Sequence, residues 1–205
     1  MGDYGVVLKY EPASLALSLP TNVRSKPNTT VTVPITVGNA TGIANGSITV
    51  AYDPKFLKAT GAKPTSLTNG FTVTPNTATA GQITITFSRA APIPSGNGEL
   101  FKLEFTVSSN LAVGSSTPLT FQSASIQGFS QVQLASGTLT IIGTTGDLNN
   151  DGVVDVGDSI FALRLVQNLS TLNPIYEKSV GDLNQDGQVN DADAVILLRQ
   201  DVGLK

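Results

Sequence analysis

A twenty-residue stretch occurs twice near the C-terminal end of the chain. GDLNNDGVVDVGDSIFALRL begins at Gly146, and GDLNQDGQVNDADAVILLRQ begins at Gly181, 35 residues later. Each copy places carboxylates and amides at the same spacing and then continues into an apolar segment with helical periodicity. Because both the loop and the segment that follows it recur in register, the sequence predicts that this part of the chain folds as two equivalent loop–helix units.

The spacing inside each copy matches the ligand pattern of a calcium-binding loop of the EF-hand type. Counted from the first aspartate, side-chain oxygens at positions 1, 3, 5, 9 and 12 and the main-chain carbonyl at position 7 form the expected ligand set. A hard cation of this size takes six to eight oxygens, and the glycine at position 6 permits the sharp turn. The predicted ligands are Asp147, Asn149, Asp151, Val153, Asp155 and Asp158 in the first loop, and Asp182, Asn184, Asp186, Gln188, Asn190 and Asp193 in the second. The sequence therefore predicts two bound Ca²⁺ ions.

The alternative is a pair of Asn/Asp-rich turns that bind no metal. Two matches in register, each followed by an apolar helix starting at position 12, argue against it. Without a cation, the carboxylates that converge in each loop would repel one another and oppose closure. We therefore expect calcium binding to be coupled to folding of residues 145–205, a segment too short to build a large core alone.

The distribution of charge agrees with this interpretation. Residues 1–144 hold eight basic and five acidic residues, whereas residues 145–205 hold four basic and ten acidic ones. The basic residues are scattered, so a nucleic-acid-binding footprint is not indicated. The chain has no cysteine and no histidine, which excludes disulfides, zinc sites built from these residues and nucleophiles that depend on them. No apolar run approaches the ~18 residues that span a bilayer.

The first 143 residues have the alternation of β-strands. In residues 100–107, Phe101, Leu103 and Phe105 share one face, while Lys102 and Glu104 share the other. Similar runs separated by turn signals predict nine or ten short strands in a sandwich or jelly roll. Beyond Gly143 the pattern becomes helical at 158–168 and 193–202. The connector between these two segments contains Pro174, which could open a short helical turn.

The repeated motif, G-D-x-N-x-D-G-x-V-[DN]-x-x-D followed by a helix carrying Leu-Arg, resembles the type I dockerin module of cellulosome-type assemblies. This resemblance implies a small all-α domain of paired calcium loop–helix units that docks onto a cohesin domain in a Ca²⁺-dependent manner. In front of it, residues 30–61 and 96–121 resemble parts of a cohesin domain, which implies a nine-stranded flattened jelly roll. The expected organisation is an extension at 1–12, a cohesin-like domain at 13–143 and a dockerin-like domain at 144–205, with repeats at 146–169 and 181–204.

The dockerin resemblance also implies partner-reading residues at loop positions 10 and 11 and at helix positions 17, 18 and 22. These are Val156, Gly157, Leu163, Arg164 and Asn168 in the first copy, and Asp191, Ala192, Leu198, Arg199 and Gly203 in the second. Neither copy has the Ser-Thr pair common at positions 10 and 11, and the two copies differ there. The resemblance therefore does not imply that this chain binds the usual class of partner, or that its two copies bind a partner equivalently. A core role for the two leucines and a solvated role for the two arginines remain alternatives.

The function expected from these features is a non-catalytic scaffolding or adaptor protein. Its partners would be cohesin or dockerin modules of other proteins or of other copies of itself, and head-to-tail self-association is one open mode. The resemblance implies a secreted or cell-surface location, in bacterial or archaeal polysaccharide-degrading assemblies. An enzyme is not expected, because the five carboxylates of the β region offer no pair at the spacing of a glycosidase.

The alternative is a carbohydrate-binding or cell-surface β-domain with a calcium-stabilised C-terminal cap. Sugar platforms need exposed aromatic rings, and the chain has no tryptophan and four tyrosines. Tyr4, Tyr10 and Tyr52 are the candidates for such a platform.

Overall fold

The computed structural model describes residues 14–169 and 174–204. In these ranges the chain forms eleven strands followed by three helices. The strands are β1 (Ser14–Ser18), β2 (Val23–Ser25), β3 (Thr30–Val37), β4 (Asn45–Ala51), β5 (Leu57–Pro64), β6 (Thr72–Asn76), β7 (Gln82–Ser88), β8 (Gly98–Val107), β9 (Ser116–Ile126), β10 (Gln131–Ala135) and β11 (Gly137–Ile141). The helices are α1 (Val156–Val166), α2 (Pro174–Gly181) and α3 (Asp191–Asp201).

The strands form two sheets, in the orders β10-β1-β3-β8-β5 and β2-β11-β9-β4-β7-β6. The predicted mainly-β domain of jelly-roll type followed by a small helical domain is thus confirmed, with eleven strands where the resemblance implied nine. The count is higher partly because of short strands such as β2, which has three residues and no readable alternation. It pairs in parallel with β11, so its existence depends on a partner more than 110 residues away.

The core of this β domain follows from the alternation along its strands. Phe101, Leu103 and Phe105 of β8 are essentially buried, and the ring of Phe101 lies 4.7 Å from that of Phe87 between centroids. Glu104 faces outward and pairs with a lysine of β5. Alternating burial along the strands therefore places the apolar side chains of the two sheets in one shared core.

The segment after β4 is structural. Tyr52 is buried, its ring packs edge-on against Phe105 at 5.2 Å between centroids, and its hydroxyl accepts a hydrogen bond from the Ala59 N–H. Asp53 accepts one from the Lys55 N–H at 2.8 Å, so it caps the turn as predicted. Tyr52 is therefore not available to a sugar platform; Tyr4 and Tyr10 lie outside the described residues.

The helices α1 and α3 begin two residues earlier than the predicted starts at 158 and 193. Position 9 of each loop, Asp155 or Asn190, is the N-cap residue, and the aspartate at position 12 becomes the third helical residue of a capping box. Helix α2 begins at Pro174, the helix position where a missing N–H costs no hydrogen bond. A second apolar core joins the helices and consists of Leu148, Ala162, Tyr176, Val180, Ala194 and Leu197.

The exit from the β domain determines where the helical domain lies. Strand β11 runs parallel to β2, with Leu139 opposite Val23 and Ile141 opposite Ser25, and the Ile142 N–H donates to the Ser25 carbonyl at 3.0 Å. Parallel strands end at the same edge of a sheet. The chain therefore leaves the β domain beside the turn at residues 26–29, which follows β2.

Candidate metal loops and interaction surface

Each loop is closed by its first aspartate. In the first loop (147–158), Asp147 Oδ2 accepts a hydrogen bond from the Gly152 N–H at 3.1 Å. In the second loop (182–193), Asp182 Oδ2 accepts one from the Gly187 N–H at 2.9 Å. Both glycines have φ near +90°, a conformation that other residues adopt at a cost. The glycine at position 6 thus lets the chain turn back onto the carboxylate at position 1.

The aspartate at position 12 ties the start of each loop to the start of its helix. Asp158 and Asp193 are fully buried, and each accepts main-chain hydrogen bonds with both carboxylate oxygens. The donating amides are those of Asn149 (3.0 Å) and Asp155 (2.9 Å) in the first loop, and of Leu183 (2.8 Å) and Asn190 (3.0 Å) in the second. These bonds orient the two carboxylates toward the loop interior.

Positions 3 and 5 pair with each other in both loops. The Asn149 side-chain amide donates to Asp151 Oδ2 at 2.8 Å, and the Asn184 amide donates to Asp186 Oδ2 at 2.9 Å. At position 9, Asp155 Oδ1 caps α1 by accepting from the Gly157 N–H at 2.7 Å. Position 9 is thus used first as a helix cap. Asp155 keeps a second oxygen that can reach a metal directly or through water, whereas the single side-chain oxygen of Asn190 already accepts from the Ala192 N–H at 2.8 Å.

The pKa shifts reflect these surroundings. Burial raises the pKa of Asp158, and the negative charge of Asp147 adds to the rise, while main-chain N–H donors act against both. The pKa of Asp186 is lowered, first by the Gln188 N–H and then by the Asn184 amide. The first loop therefore holds at least one carboxylate whose charge is costly where it lies.

The donor set fits a hard cation. In the second loop, oxygens of Asp182, Asp186 and Asp193 all lie within 4.8 Å of one another. In the first loop, Asp147 Oδ1 is buried and has no hydrogen-bond partner, which is unusual for a carboxylate oxygen unless a cation accompanies it. Oxygen donors without nitrogen or sulfur are the ligands that Ca²⁺ prefers.

The first loop also contacts the β domain, which the sequence did not predict. Lys26 Nζ lies 3.4 Å from Asp147 Oδ2, and the Asn150 side-chain amide donates to the Pro27 carbonyl at 2.9 Å. Both contacts join residues more than 120 positions apart and depend on the parallel pairing of β2 with β11. No local signal in the sequence could have revealed them.

Helix α2 forms a second contact between the two domains. Ser179 Oγ accepts a hydrogen bond from the Val113 N–H at 3.1 Å, and the Ile175 N–H donates to Asn110 Oδ1 at 3.2 Å. Tyr176 is fully buried, and burial, together with the charges of two loop aspartates, raises its pKa to about 12. The connector predicted between the repeats is therefore a packed helix that holds the helical domain against the β8–β9 loop.

Helices α1 and α3 each leave an apolar stripe uncovered. The stripe of α1 consists of Val156, Ile160 and Leu163, and that of α3 of Val195, Leu198 and Val202. These six side chains are between 38% and 69% exposed, so Leu163 and Leu198 are not core residues. Ile160, Val195 and Val202 were not among the predicted partner residues; their helical spacing from Val156 and Leu198 was the available signal.

The remaining predicted partner residues lie around these stripes. Arg164 is exposed and lies over the Phe161 ring at 5.9 Å from its centroid. Gly157 is half-buried in the first turn of α1, and Asn168 is exposed just beyond its end. The others, all exposed, are Asp191, Ala192, Arg199 and Gly203. The structure thus brings the predicted set to the surface of the two helices.

Comparison with known families assigns both parts of the chain. Residues 15–145 match the family model of the cohesin domain, and residues 145–200 match that of the dockerin type I domain. No curated protein matches the chain. Within residues 14–169 and 174–204, no helix has the length and apolar character needed to cross a membrane.

Solved structures share the fold of the β domain. The sixth cohesin of scaffoldin B from Acetivibrio cellulolyticus, in complex with a Cel5 dockerin mutant, is 20% identical; the match covers 63% of this chain and 99% of that one, with a TM-score of 0.57. The protein CaCohA2 from Clostridium acetobutylicum is 25% identical over 65% of this chain and 94% of that one, with a TM-score of 0.54. A non-cellulosomal cohesin from the archaeon Archaeoglobus fulgidus is 24% identical over 64% and 93%, also at 0.54.

Proposed function

Because the chain belongs to the cohesin family and continues into a type I dockerin domain, we propose that it is an adaptor that presents both halves of a calcium-dependent pairing. Cohesin and dockerin domains are non-catalytic modules that pair with each other, so the chain is not an enzyme. In the proposed arrangement the cohesin domain receives a dockerin, and the dockerin domain binds a cohesin of another chain. We assign residues 13–143 to the first module and 144–205 to the second.

The observation that carries this proposal is the pair of apolar stripes on α1 and α3. Water-exposed apolar side chains at helical spacing on two adjacent helices mark a protein-interaction surface. Around them lie Arg164 and Arg199, the residue type enriched at binding hot spots. We therefore assign docking to the stripes, which include the predicted partner residues Val156, Leu163 and Leu198.

Calcium is assigned a structural role in this docking. Two Ca²⁺ ions would be held by the side chains at positions 1, 3, 5 and 12 and the main-chain carbonyl at position 7, with position 9 contributing through water. A bound ion supplies the positive charge that the converging carboxylates of each loop lack. Asp158 and Asp193 connect each loop to its helix. A change in the loop is therefore transmitted to the apolar stripe on that helix.

Docking in trans is favoured over docking onto the chain's own cohesin domain. The first loop and α2 already contact that domain, while the stripes stay exposed. Binding between copies would then be heterologous, and it could close into rings or propagate as chains. Cohesin and dockerin modules are typical of extracellular cellulosome proteins, so we also propose a secreted or cell-surface location.

Analytical ultracentrifugation of the full chain over a concentration series, with Ca²⁺ and with EDTA, tests the proposal. We expect association that requires calcium and is lost in the double variant Leu163→Ser, Leu198→Ser. The matched control is Leu134→Ser, which removes a leucine of similar exposure from β10 and should leave association intact. Association that is indifferent to calcium, or equally weakened by the control, would contradict the proposal.

If the chain stays monomeric, its partners are other proteins. A pull-down from the secreted proteins of the source, with Ca²⁺ and with EDTA, then decides whether a foreign cohesin or dockerin is bound. Retention of the same proteins by the double variant would rule out docking through the stripes.

A further inference from the structure

The turn between β2 and β3 is built to present a lysine to the first calcium loop. Thr29 Oγ1 donates to the Lys26 carbonyl at 2.7 Å and lies 2.9 Å from Ser25 Oγ, which fixes the main chain of the turn. The Lys26 side chain is about one-third exposed, while that of Asp147 is fully buried. An ion pair with one buried partner is screened by solvent less than a surface pair.

The two oxygens of Asp147 have separate surroundings. Oδ2 accepts from the Gly152 N–H and lies 3.4 Å from Lys26 Nζ. Oδ1 is buried without a hydrogen-bond partner. Lys26 and a calcium ion can therefore use different oxygens of one carboxylate, and the lysine need not leave when the ion binds.

The described residues place no basic side chain against the second loop in the way that Lys26 lies against the first. Both twelve-residue loops contain four carboxylates. Among the residues that the structure describes, the ion pairs within 4.0 Å include Lys26–Asp147 but none with a carboxylate of the second loop. Within the described part of the chain, the first loop therefore has one positive charge beside it that the second loop does not have, and that charge comes from the other domain.

Resting on the proposed binding of calcium, we propose that Lys26 is a built-in counter-ion of the first loop. It offsets part of the carboxylate repulsion when calcium is absent and so keeps this loop closed against the cohesin domain. It also repels the incoming ion, because a unit positive charge next to a ligand carboxylate lowers affinity for a divalent cation, by on the order of tenfold. The first loop thus binds calcium more weakly than it would without Lys26, but it is held more firmly against the cohesin domain.

A variant of Asn150 distinguishes the effect of the lysine charge from the effect of the contact between the two domains. Its side chain donates to the Pro27 carbonyl of the same turn but carries no charge. Its φ is +57°, so Asn150→Gly removes the side chain while keeping the main-chain conformation accessible. This variant loosens the contact without changing the electrostatics of the loop.

The test is a Ca²⁺ titration of the full, chelator-treated chain, followed through the amide NMR resonances of Gly152 and Gly187. Each amide donates to the first aspartate of its own loop, so each reports one site. In Lys26→Met we expect the calcium concentration that half-saturates the Gly152 response to fall about tenfold. The corresponding concentration for Gly187 should change much less. In calcium-free buffer the Gly152 amide of this variant should exchange faster with solvent.

Three further variants make the result specific. Lys26→Arg keeps the charge and should keep wild-type affinity at Gly152. Lys63→Met removes a lysine from another ion pair of the cohesin domain and should change neither amide. Asn150→Gly should speed hydrogen exchange of the Gly152 amide in calcium-free buffer without raising the calcium affinity of the first loop. If Lys26→Met does not fold, Lys26→Gln carries the same expectation.

The outcomes are distinct. The counter-ion role is overturned if the neutral variants Lys26→Met or Lys26→Gln bind calcium at the first loop no more tightly than the wild-type chain. It is also overturned if calcium affinity rises equally at the second loop, as reported by Gly187. If neither amide of the wild-type chain responds to calcium, calcium binding itself is refuted together with this inference. A wild-type response that the neutral variants leave unchanged refutes this inference alone.

Discussion

The first loop contacts the cohesin domain through Asp147 and Asn150, whereas at the corresponding positions of the second loop Asp182 is half-buried and Gln185 is exposed. Asp147 is buried and lies next to Lys26, while Asp182 closes its loop by accepting hydrogen bonds from the main-chain amides of Asp186 and Gly187. The motif is the same in both copies, and so are the capping box and the glycine turn. A duplicated ligand pattern therefore does not imply two equal sites, because the neighbours of each copy come from elsewhere in the fold.

Removal of calcium should separate the two loops most strongly. In EDTA we expect the second loop and α3 to lose protection from hydrogen exchange, because the carboxylates of Asp182, Asp186 and Asp193 converge there and no basic side chain among the described residues pairs with them. The first loop should lose less, and the β domain should be unchanged. Hydrogen-exchange mass spectrometry on peptides from 146–158, 181–193 and the strands measures all three. Equal deprotection of both loops would contradict the comparison.

Substitution of the first aspartate should affect the two loops unequally even without calcium. Asp147→Ala leaves Lys26 without its partner and frees the Gly152 N–H, at a cost of about 2–3 kcal/mol in local opening free energy. Asp182→Ala frees amides that water can reach, and about 1 kcal/mol is expected. Exchange rates of amides in α1 and α3 in calcium-free buffer give both values, each variant serving as the control for the other. A larger loss in Asp182→Ala would reverse the interpretation.

The linker tests whether attachment to the cohesin domain distinguishes the loops. A Cβ at Gly143 would lie 2.6 Å from Val113 Cγ2 and 3.0 Å from Tyr176 Cε2. Gly143→Ala should therefore push α2 from the β domain, at a cost of about 1–3 kcal/mol, and bring exchange in the first loop closer to that in the second. Gly38→Ala is the control, since nothing lies within 4 Å of its Cβ. If the first loop keeps its protection in Gly143→Ala, its contact with the turn at 26–29 suffices by itself.

Much of the molecule could be predicted from local patterns. The alternation of Phe101, Leu103 and Phe105 indicated a core strand, and the repeated motif indicated where the loops and helices lie. The predicted helix starts at position 12 are two residues too late, because position 9 is the N-cap and the helix begins at position 10. The cap could have been predicted from the capping-box spacing of Asp155 and Asp158.

The contacts between the domains could not be predicted in this way. Lys26 reaches Asp147 only because β2, a strand of three residues, pairs with β11 and brings distant parts of the chain to one sheet edge. Similarly, the sequence around Tyr176 has no feature that distinguishes a buried aromatic residue from an exposed one. Pairing between remote segments is a property of the whole fold, so it leaves no short-range signal.

The smallest effect is expected at Tyr176, which lies close enough to Asp147 and Asp158 of the first loop to feel their charges. Its hydroxyl is buried without a hydrogen-bond partner, so Tyr176→Phe should leave stability near neutral pH unchanged or slightly higher. The folded-state pKa is about 12, above the ordinary value of 10.0. Because the unfolded chain then loses its proton first, the phenol's contribution is fully present below pH 10 and is lost as the pH rises toward 12. Chemical denaturation of both proteins across this range should show wild-type stability falling relative to Tyr176→Phe. Parallel curves would mean that the phenol is solvated, and that α2 is not packed into the apolar core that it shares with Leu148 of the first loop.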